Sequence, residues 1–170
     1  MRILLSLLCL VLAGAAMPAL ARTSGEVQIG GILREATMEG LTGPSRKLSE
    51  FRGRPLIINV WASYCGPCRE EMASLERLHR RYGDKRLAVI GISTDDYQEN
   101  AQWFLRQAKT TFSHFIDNKL LLENMLGADR LPLTLLVDAD GKVLAKFYGA
   151  RDWDGPEALA EIRRYFGLKG

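Results

Sequence analysis

Two cysteines three residues apart, Cys65 and Cys68, stand where a run of apolar, β-branched residues gives way to a helix-forming stretch. Pro55-Leu-Ile-Ile-Asn-Val-Trp61 leads in, and a polar-apolar pattern from Arg69 to about Tyr82 leads out. Residues i and i+3 share a helix face, so this spacing lets the two sulfurs meet across a first helical turn. Cys65 then lies at the helix N-terminus, where unpaired backbone N–H groups and the positive end of the helix dipole favour a thiolate. A thiolate beside a second thiol can carry out thiol–disulfide exchange. A strand-to-helix junction of this kind demands a sheet with a helix packed across it, which points to an α/β fold.

The rest of the sequence limits what surrounds that junction. A chain of 170 residues suits one domain plus a leader. A net charge of +3, with no basic stripe interleaved with aromatics, argues against a nucleic-acid partner. Met1-Arg2 followed by the apolar run Ile3 to Ala13 and by Ala19-Leu20-Ala21 reads as a signal peptide over 1–21, with the domain over 22–170. An uncleaved membrane anchor is the alternative, since Ile3 to Ala21 is close to spanning length. Gly14 and Pro18 break the apolar run and favour cleavage. A lipoprotein site at Cys9 fits poorly, because Leu8 precedes it where a small residue is expected. Of the three cysteines, Cys9 leaves with the leader, so only Cys65 and Cys68 reach the oxidising compartment. A bridge between them closes almost no loop and is a poor structural staple, which favours a catalytic pair. No cofactor is expected beyond that disulfide.

The order of elements follows from periodicity and punctuation. Gln28 to Ser49, with Gly43-Pro44, reads as a hairpin or edge region, and Leu48 to Gly53 as a helical turn. Pro55–Trp61 and Arg86–Ser93 read as strands buried on both faces, joined by a helix carrying Met72, Leu75, Leu78 and His79 on one side. Glu70, Glu76, Arg77 and Arg80 fall on its other faces. Asp95-Asp96 is placed to cap a helix from Tyr97 to Lys109 that buries Trp103, Phe104 and Gln107. A short strand at 112–116 and a short helix at 118–126 follow. Leu131 to Val137 forms a strand whose Pro132 must sit at its start or edge. Asp140-Gly141 turns it into an antiparallel partner, Lys142 to Tyr148. Asp154-Gly-Pro-Glu157 has capping-box spacing ahead of a last helix with Leu159, Ile162 and Phe166 on one face. The whole is a mixed sheet with helices on both sides.

Several motifs together resemble the thioredoxin superfamily. Trp61-x-x-Tyr64-Cys65-Gly-Pro-Cys68 is similar to its active-site sequence. The leader, Asn59, Arg69-Glu70-Glu71-Met72 and Gly91-Ile-Ser-Thr-Asp95 resemble the TlpA/ResA/CcmG branch of exported thiol–disulfide oxidoreductases. Leu131-Pro132-Leu133-Thr134 resembles the superfamily's cis-proline segment, and Val137-Asp-x-Asp-Gly141-Lys the hairpin after it. Sixty-seven residues separate Cys65 from Pro132, which fits the helical segment this branch inserts before the cis-proline strand. Two departures stand out: Tyr64 where the branch often has Trp, and Ala73 where a proline commonly kinks the helix, so a straighter helix is expected.

The residues and the resemblance together suggest roles. Cys65 is expected to attack and Cys68 to resolve the mixed disulfide. Pro67 fixes the backbone between them. Glu71 follows Cys68 by three residues and is either a solvated surface group or the proton partner of Cys68; the resemblance favours the second. Asn59 is either a satisfied strand asparagine or a group near the sulfurs. Trp61 packs beside the pair or simply in the core. The resemblance implies that Pro132 is cis and presents the backbone of Leu131 to an extended client segment, with Tyr64 shielding the sulfurs. His79 and His114 read as structural or exposed.

The reaction class implied is reduction of protein disulfides in the periplasm or another extracytoplasmic space. Apocytochrome c is one client and a membrane thiol donor the source of electrons. The alternatives are an oxidase or isomerase using the same pair, or a copper-handling protein of the same fold. A peroxidase lacks a dedicated peroxide cysteine. A closed zinc site lacks ligands, since only His79 and His114 remain.

Overall fold

A computed structural model describes residues 25–168. The signal peptide read at 1–21 lies outside the described residues. Among these, seven strands form one sheet. In chain order they are β1 (Thr37–Gly40), β2 (Arg46–Lys47), β3 (Leu56–Trp61), β4 (Ala88–Ser93), β5 (Ser113–Ile116), β6 (Leu133–Val137) and β7 (Val143–Tyr148). The helices are α1 (Gly66–Tyr82), α2 (Gln98–Ala108), α3 (Leu121–Leu126) and α4 (Pro156–Phe166), with a 3-10 turn at Leu48–Phe51. The strand order is β2-β1-β5-β4-β3-β6-β7. β3, β4 and β5 are parallel, as strand–helix–strand units require, while β6 runs antiparallel to β3 and β7 antiparallel to β6. No helix among the described residues is long and apolar enough to cross a membrane.

β3 and β4 are buried along their whole length, which explains their unbroken apolar sequences. Alternate residues of β3 serve two different cores. Ile57 and Trp61 meet α1, α2 and α4 on one face. Leu56, Ile58 and Val60 meet α3, the 3-10 turn and the segment around Val27 and Leu33 on the other. The strand thus fixes which side of the sheet receives the cysteine helix.

α1 starts at Gly66, three residues before the helix-forming pattern suggested, because Cys65 itself is the N-cap. It stops at Gly83, whose φ of 67° suits a residue without a side chain. No break interrupts it at Ala73.

Four local expectations are corrected by competing tertiary contacts. Asp95 does not cap α2, whose first turn has no side-chain cap; its carboxylate turns back to Ser63 and Ser93. Trp103 and Gln107 are exposed, and Ala101, Phe104 and Leu105 form the buried stripe instead, since these three share one face at helical spacing. Asp154 does not cap α4; it receives Arg77 and Arg81 of α1, and Gly155 takes the cap position. Glu76 is buried, not solvated. It accepts hydrogen bonds from the Thr111 N–H and hydroxyl (both 2.8 Å) and from Arg80 Nε (2.6 Å), tying α1 to the entry of β5.

One close approach is decisive for packing. In β4, Gly91 leaves room for Trp61 and His114, whose rings meet edge to face at 5.6 Å. A methyl group there would collide with His114 Nδ1 and stand 2.8 Å from Trp61 Nε1. Both rings are buried and neither can withdraw into solvent. Gly91→Ala is therefore expected to lower stability by about 3 kcal/mol, the cost of overpacking a filled core. Denaturant unfolding checks this, and an unchanged midpoint would show that the rings repack freely.

Candidate active site

β3 delivers the chain to Trp61, and five residues later α1 begins. Cys65 is the N-cap residue with an extended backbone, and its Sγ accepts a hydrogen bond from the Cys68 N–H at 3.2 Å. Pro67 occupies the first turn, where a missing N–H costs nothing because it would have had no helical partner. Cys65 and Cys68 are joined as a disulfide, S–S 2.06 Å and Cα–Cα 5.3 Å. The pair is asymmetric: Cys65 keeps 8% exposure while Cys68 has none. Only the first sulfur is within reach of a reaction partner, and it is the one at the helix terminus.

Around the pair, Tyr64 is 74% exposed and stands at the surface beside Cys65. Trp61 is fully buried in the same core cluster as both cysteines, against Phe104 and His114. Burial pushes His114 down to about 3, so this histidine is neutral at physiological pH. The Leu131–Pro132 peptide is cis. β3–β6 pairing ends at Val60–Leu133, so Pro132 follows at the end of the sheet where the cysteine loop starts. Pro132 is buried and Leu131 is half-buried, packed against both cores.

Glu71 is not on the surface. It lies beneath α1 with 1% exposure. Its Oε1 accepts from Asn59 Nδ2 at 2.7 Å, and its Oε2 accepts from Trp153 Nε1 at 3.0 Å and the Arg151 N–H at 3.4 Å. Asn59 Nδ2 also donates to Thr134 Oγ1 at 3.0 Å. The asparagine is thus tied to the carboxyl group. Burial pushes the Glu71 carboxyl up to about 7, against the pull of the three hydrogen bonds it accepts. A carboxyl group in that range exchanges protons at neutral pH. It shares the inward face of α1 with Cys68, three residues before it. A cavity of about 330 Å³ between α1 and the segment after β7 is lined by Glu71, Ser74 and Arg151.

Sequence reasoning missed Trp153, Ser74 and the Arg151 backbone. Trp153 carried one cue, an aromatic placed between a strand and a helix with no periodic pattern of its own. Ser74 holds the arrangement together: its hydroxyl donates to the Glu71 carbonyl at 2.7 Å and accepts from the Trp153 N–H at 3.0 Å.

A disulfide at the N-terminus of a helix crossing this mixed sheet, with a cis proline at the same end, defines a thioredoxin-like thiol–disulfide oxidoreductase. Comparison with known proteins agrees. A family model described as Redoxin matches residues 13–162, and the chain belongs to that family. It is 27% identical over 124 residues to the thiol-disulfide oxidoreductase ResA of Bacillus cereus, covering 73% of this chain and 72% of that one. It is 29% identical over 125 residues to ResA of Halalkalibacterium halodurans, covering 74% and 71%. Among solved structures it is similar to a provisionally assigned thiol:disulfide interchange protein, DsbE, from Chlorobium tepidum. That match has a TM-score of 0.77 at 28% identity, over 84% of this chain and 100% of the other.

The Glu71 environment makes stability depend on pH in a defined direction. Folding raises this carboxyl from its ordinary 4.5 to about 7, so the native state holds the proton more tightly than the unfolded chain. The stabilisation is complete below pH 4.5 and is lost as pH rises through 7; the shift corresponds to about 3 kcal/mol. Glu71→Gln is expected to flatten the stability profile between these limits, measured by denaturant titration at several pH values. A slope that survives the substitution would assign it to another group.

Proposed function

We propose that this protein is exported by the segment 1–21 and works over 22–170 as a reductase of protein disulfides in the periplasm or an equivalent extracytoplasmic space. The observation that carries this reading is the buried Glu71 carboxyl, near 7 and on the Cys68 side of α1. In reduced protein the Cys65 thiolate, favoured by the α1 N-terminus, attacks one sulfur of a client disulfide. The client's other sulfur leaves as a thiolate and takes a proton. Cys68 then gives its proton to the Glu71 carboxylate and attacks Cys65 Sγ, which breaks the mixed disulfide. The client's remaining sulfur leaves as a thiolate and is protonated from solvent, and Glu71 returns the Cys68 proton to solvent. Two electrons have passed to the client, and Cys65–Cys68 is the oxidised product. No cofactor besides this disulfide takes part.

Other residues serve the same steps. Pro67 holds the turn between the cysteines, and Trp61 packs behind them. Asn59 and Trp153 hold the Glu71 carboxyl in place. Leu131, preceding Pro132, offers main chain to an extended client segment, with Tyr64 on the surface beside Cys65. Because the compartment oxidises thiols, a membrane thiol donor must return the electrons. The resemblance to the ResA-like branch suggests apocytochrome c, whose haem-binding cysteines must be reduced before attachment, as one client, and equally a broader client range.

The reduction potential of Cys65/Cys68, from equilibration with glutathione or a stronger dithiol couple, tests the direction. A value near or below about −220 mV is expected; a value near about −120 mV would make this a disulfide-forming enzyme. Cys65→Ser is expected to abolish turnover and Cys68→Ser to accumulate a mixed disulfide with the client. Normal turnover by Cys68→Ser would remove its resolving role. Glu71→Gln is expected to shift the thiol titration curve of the reduced protein, and an unchanged curve would remove Glu71 from the proton path.

A further inference from the structure

The loop between β3 and α1 is fastened by contacts that the exchange steps above do not use. Asp95, at the end of the Gly91–Asp95 motif, is 2% exposed. Its Oδ2 accepts the Ser63 N–H at 2.9 Å and the Ser93 hydroxyl at 2.7 Å, and its Oδ1 accepts the Ser63 hydroxyl at 2.5 Å. From the other side, Arg69 donates to the Ser63 carbonyl, through Nη2 at 3.1 Å and Nε at 3.4 Å. Ser63 therefore has its N–H, hydroxyl and carbonyl all engaged by charged groups. These come from the end of β4 and from the first turns of α1. The neighbouring backbone is fixed as well: the Thr94 N–H donates to the Trp61 carbonyl at 2.9 Å, and the Cys65 N–H to the Ala62 carbonyl at 3.1 Å.

We propose that Asp95 is a positioning residue for the exchange reaction: through Ser63 it clamps the loop so that Cys65 stays in the N-cap position of α1. A sulfur benefits from the helix N-terminus only while it remains within the first turn, because that interaction falls off over about one turn. Cys65 lies two residues beyond Ser63, so slack at Ser63 reaches the sulfur directly. Several hydrogen bonds made at once by a nearly dry side chain give the clamp its stiffness. Asp95 touches neither sulfur in this scheme and acts only through the backbone. The inference rests on the assignment of Cys65 as the attacking thiol but not on the direction of electron flow.

The clamp and a simple charge effect predict opposite signs. An anion near the pair, acting by field alone, would disfavour the thiolate, so its removal would raise reactivity. Loss of the clamp lowers it. The test is the alkylation rate of the reduced full chain with iodoacetamide at pH 7, with the labelled cysteine mapped by mass spectrometry. Asp95→Ala is expected to slow alkylation of Cys65 by about tenfold, the scale of a fully engaged helix-terminus interaction. Asp95→Asn keeps the shape and can still accept the Ser63 N–H while donating to its hydroxyl, so it is expected to stay within about twofold of the unaltered protein. Ser63→Ala removes the hydroxyl bond to Asp95 but keeps the Ser63 N–H bond, so it is expected to slow alkylation by about threefold. If Asp95→Ala does not fold, the other two variants decide. A slow Ser63→Ala beside a normal Asp95→Asn supports the clamp, and an unchanged Ser63→Ala overturns it. Equal effects of Ala and Asn at 95, or faster alkylation in either, also overturn it. Labelling at Cys68 in the unaltered protein would instead sink the assignment of Cys65, and the clamp with it.

Discussion

A carboxyl group with almost no access to water lies under the cysteine helix, and two separate parts of the chain are arranged to donate to it. Burying an acid is expensive unless its oxygens find donors, and ionising it there is more so. Glu71 meets that demand with Asn59 from β3 and with the indole of Trp153 and the Arg151 N–H from the segment after β7. Ser74 then ties the same segment to α1. The carboxyl group thereby fixes how α1 sits over the sheet and where the chain runs before α4. The donors stop short of holding the group fully ionised, and that balance leaves it near neutrality.

The disulfide asks little of this scaffold and gives little back. A bridge between residues three apart constrains the unfolded chain less than any long-range bridge would. Stability comes from two apolar cores on either side of the sheet, one of which merely includes the cysteines. Opening and closing the bond therefore need not threaten the fold, which a pair that cycles between states requires. The asymmetry of the sulfurs has the same local origin. The N-cap residue lies at the helix end with an edge to solvent, and the residue one turn in points under the helix.

The parts of this design written in local sequence were legible in it. The buried strands β3 and β4 announce themselves by unbroken apolar runs. The cysteine spacing places the pair on a helix start, and the Asp140-Gly141 turn marks the β6–β7 hairpin. Resemblance supplied the cis peptide at Pro132, which periodicity alone could not. What failed was wherever a polar side chain had a better offer from across the fold. Asp95 and Asp154 each stand at an acceptable cap position, yet Ser63 and the arginines of α1 claim them. Glu76 looks like an outer-face glutamate until Thr111, thirty-five residues away, provides two donors. Trp153 has no periodic context, so nothing before the fold ties it to Glu71. Helix patterns locate a face but not its partner, and Trp103 shows the same limit in reverse: an aromatic assumed to be core stands in solvent.

The polar interior groups also fall on one line. Asn59 pairs with Thr134 of β6 on one side and Gly91 of β4 on the other, and Gly91 pairs with His114 of β5. Thr134, Asn59, Gly91 and His114 thus form a row across four strands. Two residues along on the same face, the row Leu136, Ile57, Val89 is wholly apolar. Among the described residues, Asn59 Oδ1, His114 Nδ1 and the neighbouring Trp61 Nε1 have no partner in the protein. Buried polar atoms left unpaired cost about 1–3 kcal/mol each. A fold selected for stability alone would fill that row as it fills the next one. Asn59 and His114 place part of that cost in the row beneath the cysteine helix, next to Glu71, a departure from ideal packing of the kind functional sites carry. Gly91 makes the row possible, since any side chain there would push Trp61 and His114 out of the layer that supports the sulfurs.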